Sequence, residues 1–283
     1  MRGLLATAAC LLGLAVVLVV AARGETAAET RTAAAADLIP RELPREEFAP
    51  ARLRIAFASD AAGAPTPELR RIALEVGDRV RFRGGLPSCP LADLYEEERP
   101  CPRSIIGHGA VASEIAPPGG APRAVDGELV AFFNQTHRQA RVLARVVTGE
   151  PLPLTYVIPF SVKPAAGAYG NGLVVRRMSR IVGKCAAGHP NCLAQPYTLK
   201  GVYGHISELR MTLDRRFAAG GERRGFVEGR CPAEPGSERA AFPILRAVLT
   251  YGDGSEASPS VSQPCRAGDR AERRLGAVGR GSR

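Results

Sequence analysis

The chain has 283 residues, 38 basic against 28 acidic side chains for a formal charge of +10, seven cysteines, no tryptophan and 5% aromatics. The basic balance comes with no nucleic-acid recognition motif, which argues against DNA or RNA as a partner. The scarcity of aromatic rings argues against a module that stacks sugars.

Arg2 precedes an uncharged, mostly apolar run from Gly3 to Ala22, and Ala22-Arg23-Gly24 supplies small residues at a cleavage position. That layout is a secretory signal peptide over residues 1–24. The run is also close to the ~20 residues that cross a bilayer as a helix, so a retained N-terminal membrane anchor is the alternative. Cys10 lies inside the run and not at its end, so it does not read as a lipidation site. Either way, the rest of the chain is expected outside the cytoplasm, extracellular or at the cell envelope.

Residues 25–50 are rich in Ala, Glu and Arg, contain Pro40, Pro44 and Pro50, and lack apolar periodicity. They read as a flexible spacer. The pattern changes at Arg52, where Leu53, Ile55 and Phe57 alternate with Arg52, Arg54 and Ala56 as in a half-buried strand. Further strand segments follow at 69–76, 104–115, 127–134, 139–148, 152–160, 173–182, 198–213, 223–230, 241–251 and 259–265. Between them lie turn sequences such as PPGGAP, GEPLP, AAGG and YGDGS. Only Pro90–Arg99 reads as helix. The prediction is an all-β domain over residues 51–265, a large antiparallel β-sandwich of jelly-roll type with one short helix. Residues 266–283 hold six arginines against two acids and read as a basic, disordered tail. Such a tail suits anionic envelope polymers or lipid headgroups.

Without Cys10 an even set of cysteines remains: Cys89, Cys101, Cys185, Cys192, Cys231 and Cys265. In an exported chain that indicates disulfides, and sequential pairing is the simplest scheme because each bridge closes its own local loop. The rival metal reading rests on Cys185, His189 and Cys192, whose spacing is tight and lacks a fourth ligand nearby. No metal, cofactor or catalytic residue is assigned.

The familiar catalytic motifs are missing, among them G-x-S-x-G, H-E-x-x-H, the P-loop, S-x-x-K and C-x-x-C. The four histidines are dispersed. His108 lies between glycines, which suggests close backbone packing or a bulge; His137 is in a turn, His189 in the 185–192 loop and His205 on a Gly-flanked strand. Glu96-Glu97-Glu98 reads as a solvated helix face, and residues 251–256 as a tight hairpin turn, not a calcium loop. Asn134-Gln135-Thr136 matches the glycosylation acceptor pattern.

Three segments together resemble a group of uncharacterised secreted actinobacterial proteins: GLPSC with CPRSIIGHGA, then GELVAFFN, then GRCPAEPG with FPILRAVLTYGDGS and QPC. That group has a G-L-P-x-C…C-P-x-S-x-x-G-x-G block and a C-terminal C-P…D-G-S…C block. The resemblance implies an exported all-β domain in which Cys89–Cys101 and Cys231–Cys265 form local bridges. It implies no activity, and the Cys185/Cys192 pair departs from the pattern.

The function expected from these features is a secreted or envelope-tethered, non-catalytic β-sandwich with a binding or structural role at the cell surface. The alternatives are an extracellular hydrolase with an active site assembled from His108, His137 and His205, and a carbohydrate or cell-wall polymer module. The latter needs Tyr95, Tyr156, Tyr169, Tyr203 and Tyr251 to share an exposed face.

Overall fold

The computed structural model describes residues 30–61, 68–96, 100–115, 123–136, 139–150, 152–178, 183–185 and 204–268. The export segment, Cys10, His137, His189, Cys192, Tyr203 and residues 269–283 lie outside the described residues.

The structure is all-β, as expected. In chain order the strands begin with β1 (Thr30–Ile39), β2 (Glu42–Leu43), β3 (Ala49–Ala61), β4 (Leu69–Gly77) and β5 (Val80–Phe82). After the helix α1 (Asp93–Glu96) come β6 (Ile105–Ile115), β7 (Arg123–Thr136), β8 (Gln139–Thr148), β9 (Leu154–Pro164) and β10 (Tyr169–Val175). The remainder are β11 (Gly183–Cys185), β12 (Gly204–Leu213), β13 (Arg216–Ala219), β14 (Glu222–Gly225), β15 (Val227–Gly229), β16 (Arg239–Tyr251), β17 (Glu256–Ala257) and β18 (Ser260–Ala267).

All but the hairpin β13–β14 belong to one sheet, in the order β2-β18-β16-β4-β10-β9-β8-β7-β6-β12-β3-β15-β5, with β1 on β3, β11 on β9 and β17 on β16. Pairing is antiparallel except between β18 and β2. The two layers of the sandwich are thus parts of a single sheet that curls until β1 lies against β16 and β18.

At that seam side chains replace the ladder. Tyr251 Oη on β16 bonds Ser59 Oγ at 2.7 Å and Thr32 Oγ1 at 3.0 Å. The amide of Gln263 on β18 bonds both backbone groups of Leu38 on β1. The enclosed core is packed with Leu, Ile, Val and Phe, including Phe57, Phe133, Phe160 and Phe226, each no more than 1% exposed.

Two expectations along the chain are corrected. Residues 25–50 are not a flexible spacer from Thr30 onward, because β1 pairs with β3 in unbroken register from Thr30↔Ala61 to Ile39↔Arg52. The basic tail begins later than residue 266. Arg266 and Ala267 pair with Glu42 and Leu43, and Gly268 N donates to Leu43 O.

The helix expected over Pro90–Arg99 spans only Asp93–Glu96, with residues 97–99 outside the described set. It lies in the loop closed by Cys89–Cys101, whose Cα atoms are 5.6 Å apart. This loop is a flap on the outer face of β7–β9. Cys89 and Leu94 pack there on Phe132, Leu143 and Val157, forming a satellite core. Burial on both faces explains why β8 reads as a nearly continuous apolar run. Arg145 Nε donates to Leu94 O at 2.8 Å and holds the flap down.

The second bridge, Cys231–Cys265, joins the segment after β15 to β18. Cys185 closes β11, and its expected partner Cys192 lies outside the described residues.

Candidate functional site

Strand register determines which side chains share the outer surface. Across β1, β3, β12 and β6 one outward row is Ala35, Ala56, Arg210 and Ala110, and the next is Asp37, Arg54, Thr212 and His108. Their neighbours Ile55, Leu53 and Met211 point into the core, each at most 2% exposed. Alanine fills most of the first row and of the row on its other side, Ala33, Ala58, Glu208 and Ala112, so the surface sinks into a trough beside Arg54 and Arg210. It has a volume of about 350 Å³ and is lined by Ala35, Asp37, Ala56, Gly109, Thr212, Arg54 and Arg210.

Charge in the trough is uneven. Arg210 Nε bonds Glu208 Oε1 at 2.8 Å, and Asp37 bonds Arg41. Arg54 has no ion-pair partner among the described residues, which leaves a guanidinium at the wall. The sequence alternation placed Arg54 and Ala56 on one face of β3. The partners that complete the trough, on β1 and β12, come from strand register, which no local pattern carries.

Gly107 and Gly109 flank His108 for a steric reason. A Cβ on Gly107 would lie 2.0 Å from Thr212 O, and one on Gly109 would lie 1.9 Å from Arg210 O. Close approach of β6 to β12 excludes side chains there, and a register shift falls between Ile105 and Gly107. The expected close packing and bulge are both present. His108 itself is exposed on the outer face, beside Thr212.

The two described histidines, His108 and His205, are not brought together. His205 pairs with Glu114 at the far end of β6 from His108. At about 3.3 Å per residue that separates them by roughly 20 Å along the strand, well beyond the reach of a shared catalytic base. His137 lies outside the described residues.

Nor do the described tyrosines make a stacking row. Tyr156 and Tyr251 point into the core at 4% and 1% exposure, and Tyr95, on the helix of the flap, is partly buried against the satellite core. Burial pushes the Tyr156 phenol up to about 12, against the opposing effect of its 3.2 Å bond to Ser113 Oγ.

Other candidates have structural roles. Asn134 Nδ2 donates to Cys89 O at 2.7 Å and to Ser88 Oγ at 3.3 Å, so the nitrogen of the glycosylation pattern latches the flap. Cys89, Asp93 and Cys101 come within ligand distance of one another, but the two sulfurs are bonded together and offer no thiolate.

The turn at 251–256 is a hairpin turn in which Asp253 Oδ1 accepts from Ser255 N and Oγ. Those two bonds hold the Asp253 carboxyl below its usual range. Glu96 faces Lys184 at 3.9 Å.

Sequence reading missed a buried charge, Glu228 on β15, 0% exposed. Its Oε2 accepts from Arg81 Nε and Nη2 and from Arg83 Nε, while the guanidiniums of Arg81 and Arg230 both lie over the Phe48 ring. Acid and arginine alternate with core residues here as on any strand, so sequence carried no sign that a segment from residues 44–48 would cover them.

Comparison with protein-family models, with curated proteins and with solved structures finds no match. The geometry therefore carries the functional argument. Two intact disulfides fit an oxidising compartment outside the cytoplasm.

Proposed function

We propose that this chain is an exported, non-catalytic binding protein of the cell surface, and that its ligand is a linear anionic polymer lying along the trough. The observation that carries the reading is the alanine-floored trough on β1, β3, β12 and β6, walled by Arg54 and Arg210. Small residues let an extended chain approach the sheet, and a guanidinium with no ion-pair partner among the described residues supplies the charge to hold an acidic group. The paired cysteines, the export segment and the separation of His108 from His205 support the same reading. So does the resemblance to secreted actinobacterial β-domains.

The test is titration of the oxidised protein with inorganic polyphosphate and with poly-glutamate, comparing wild type with Arg54→Glu/Arg210→Glu. The expected result is at least tenfold weaker binding by the double variant. Equal affinities would overturn the trough as the binding site. N-terminal sequencing of the exported protein tests the compartment and shows whether residues 1–24 are removed.

A further inference from the structure

The path of the chain around β12 contains a detour that the sheet does not need. Leu213 at the end of β12 pairs with Leu53, and Val227 at the start of β15 pairs with Ala51. Only Arg52 lies between those partners on β3, so β12 and β15 form one strand line along β3. A very short link would join them. The chain instead uses residues 214–226 to build the hairpin β13–β14, which pairs only with itself.

The turn of that hairpin is Gly220-Gly221, with φ of 60° and 77°, the conformation a two-residue I′ turn requires. Its arms are sided. Phe217 packs partly on the main core, and Arg224, opposite Phe217, pairs with Glu222 on that same face. The other face carries Arg216 and Arg223, both exposed. Asp214, the remaining acid of the segment, pairs with Arg52 at 3.5 Å. Among the described residues Arg216 and Arg223 have no ion-pair partner.

We propose that the β13–β14 hairpin is a second binding element, a phosphate-reading finger that grips a linear phosphate polyanion through Arg216 and Arg223. The proposal rests on the polymer-binding reading above but on a different surface. Arg216 opposes Gly225 and Arg223 opposes Ala218, so the two arginines are diagonal neighbours, about 7–8 Å apart in such a ladder. That spacing presents two guanidinium forks to neighbouring groups of one chain. Each phosphate offers non-bridging oxygens that match the fork, and both sides keep their charge at acidic pH, where a carboxylate polymer loses its own. The tip residues Ala218 to Gly221 are small and exposed, so contact is electrostatic with no apolar wedge.

The experiment titrates the oxidised full chain with inorganic polyphosphate and with poly-glutamate over a range of salt. Four proteins are compared: wild type, Arg216→Glu/Arg223→Glu, the trough variant Arg54→Glu/Arg210→Glu, and a charge-matched control, Arg103→Glu/Arg239→Glu. Thermal melts and intact mass confirm that each is folded and disulfide-bonded. The hairpin variant is expected to bind polyphosphate at least tenfold more weakly. Its slope of log K against log salt should fall by about 1.4, at roughly 0.7 for each phosphate contact on a single-stranded polyanion.

Equal weakening in the control pair would reduce the effect to net charge and overturn the proposal. Tighter binding of poly-glutamate by wild type would overturn the phosphate assignment. Loss in the trough variant alone would sink the hairpin and leave the trough reading standing, and loss in the hairpin variant alone would do the reverse. If wild type binds neither polymer, both readings fall.

Discussion

Gln263 bonds Leu38 twice: its Nε2 donates to Leu38 O and its Oε1 accepts from Leu38 N, each at 2.8 Å. The side-chain amide acts as a peptide group of a strand that is not there and joins β18 to β1 where the sheet curls on itself. Both residues are buried, so neither backbone group of Leu38 has water to fall back on. Replacement by leucine should leave a buried N–H and C=O unpaired and cost about 3 kcal/mol, at 1–3 kcal/mol for each group. Urea denaturation of Gln263→Leu under oxidising conditions measures this. A loss below about 1 kcal/mol would show that the seam does not depend on the amide.

Alkaline pH should open the core through Tyr156. Its folded pKa of about 12 lies above the unfolded value of 10.0, so between those values the unfolded chain releases a proton that the folded chain keeps. Stability is fully present below pH 10 and is lost as pH rises toward 12, by about 3 kcal/mol over two pH units. Denaturation curves at stepped pH, with tyrosinate absorbance, follow the transition. Tyr156→Phe should flatten this dependence while costing about 1 kcal/mol at neutral pH for the lost bond to Ser113.

The two bridges should differ in worth. Loop-closure entropy gives about 3 kcal/mol for Cys89–Cys101 and about 4 kcal/mol for Cys231–Cys265, whose sequence separations are 12 and 34. Paired Cys→Ser variants, compared by denaturation, are expected in that order. The reverse order would mean that packing of the flap on Phe132, Leu143 and Val157 outweighs chain entropy.

Two glycines of different kinds provide a steric test. Gly109→Ala sets a methyl against Arg210 O and should destabilise by about 3 kcal/mol or more, since backbone cannot move aside cheaply. Gly220→Ala meets open space but keeps a φ of 60°, at a cost of about 1–2 kcal/mol. Melting temperatures of the two variants should separate clearly.

These positions also show what sequence could and could not convey. β8 was readable to its boundaries because its apolar run ends in turn residues on both sides. β1 was not, although Thr32, Ala34, Ala36 and Leu38 do face inward and Ala33 and Ala35 outward. With alanine on both faces the alternation vanishes from the letters, and the ladder to β3 carries the strand instead. The close strand approach on either side of His108 is legible from Gly107 and Gly109, because that constraint is local. The trough needs the register of β1, β3, β12 and β6 at once, and Glu228 needs the cover of Phe48. Those are long-range facts with no local trace.

The strand lines around the two excursions meet at a single level of the sheet. β5 and β6 also lie end to end along the β15/β12 line, with Phe82 opposite Val227 and Gly107 opposite Leu213. Both lines therefore break at one level, where Arg83 N meets Phe226 O and Ile106 O accepts from Asp214 N. One gap emits the disulfide flap and the other the basic hairpin. The sheet carries on beneath as though neither had been spliced in. The β3 ladder passes that level with Arg52 alone between the partners of β12 and β15, so the register of both strands is set by β3 and not by either excursion.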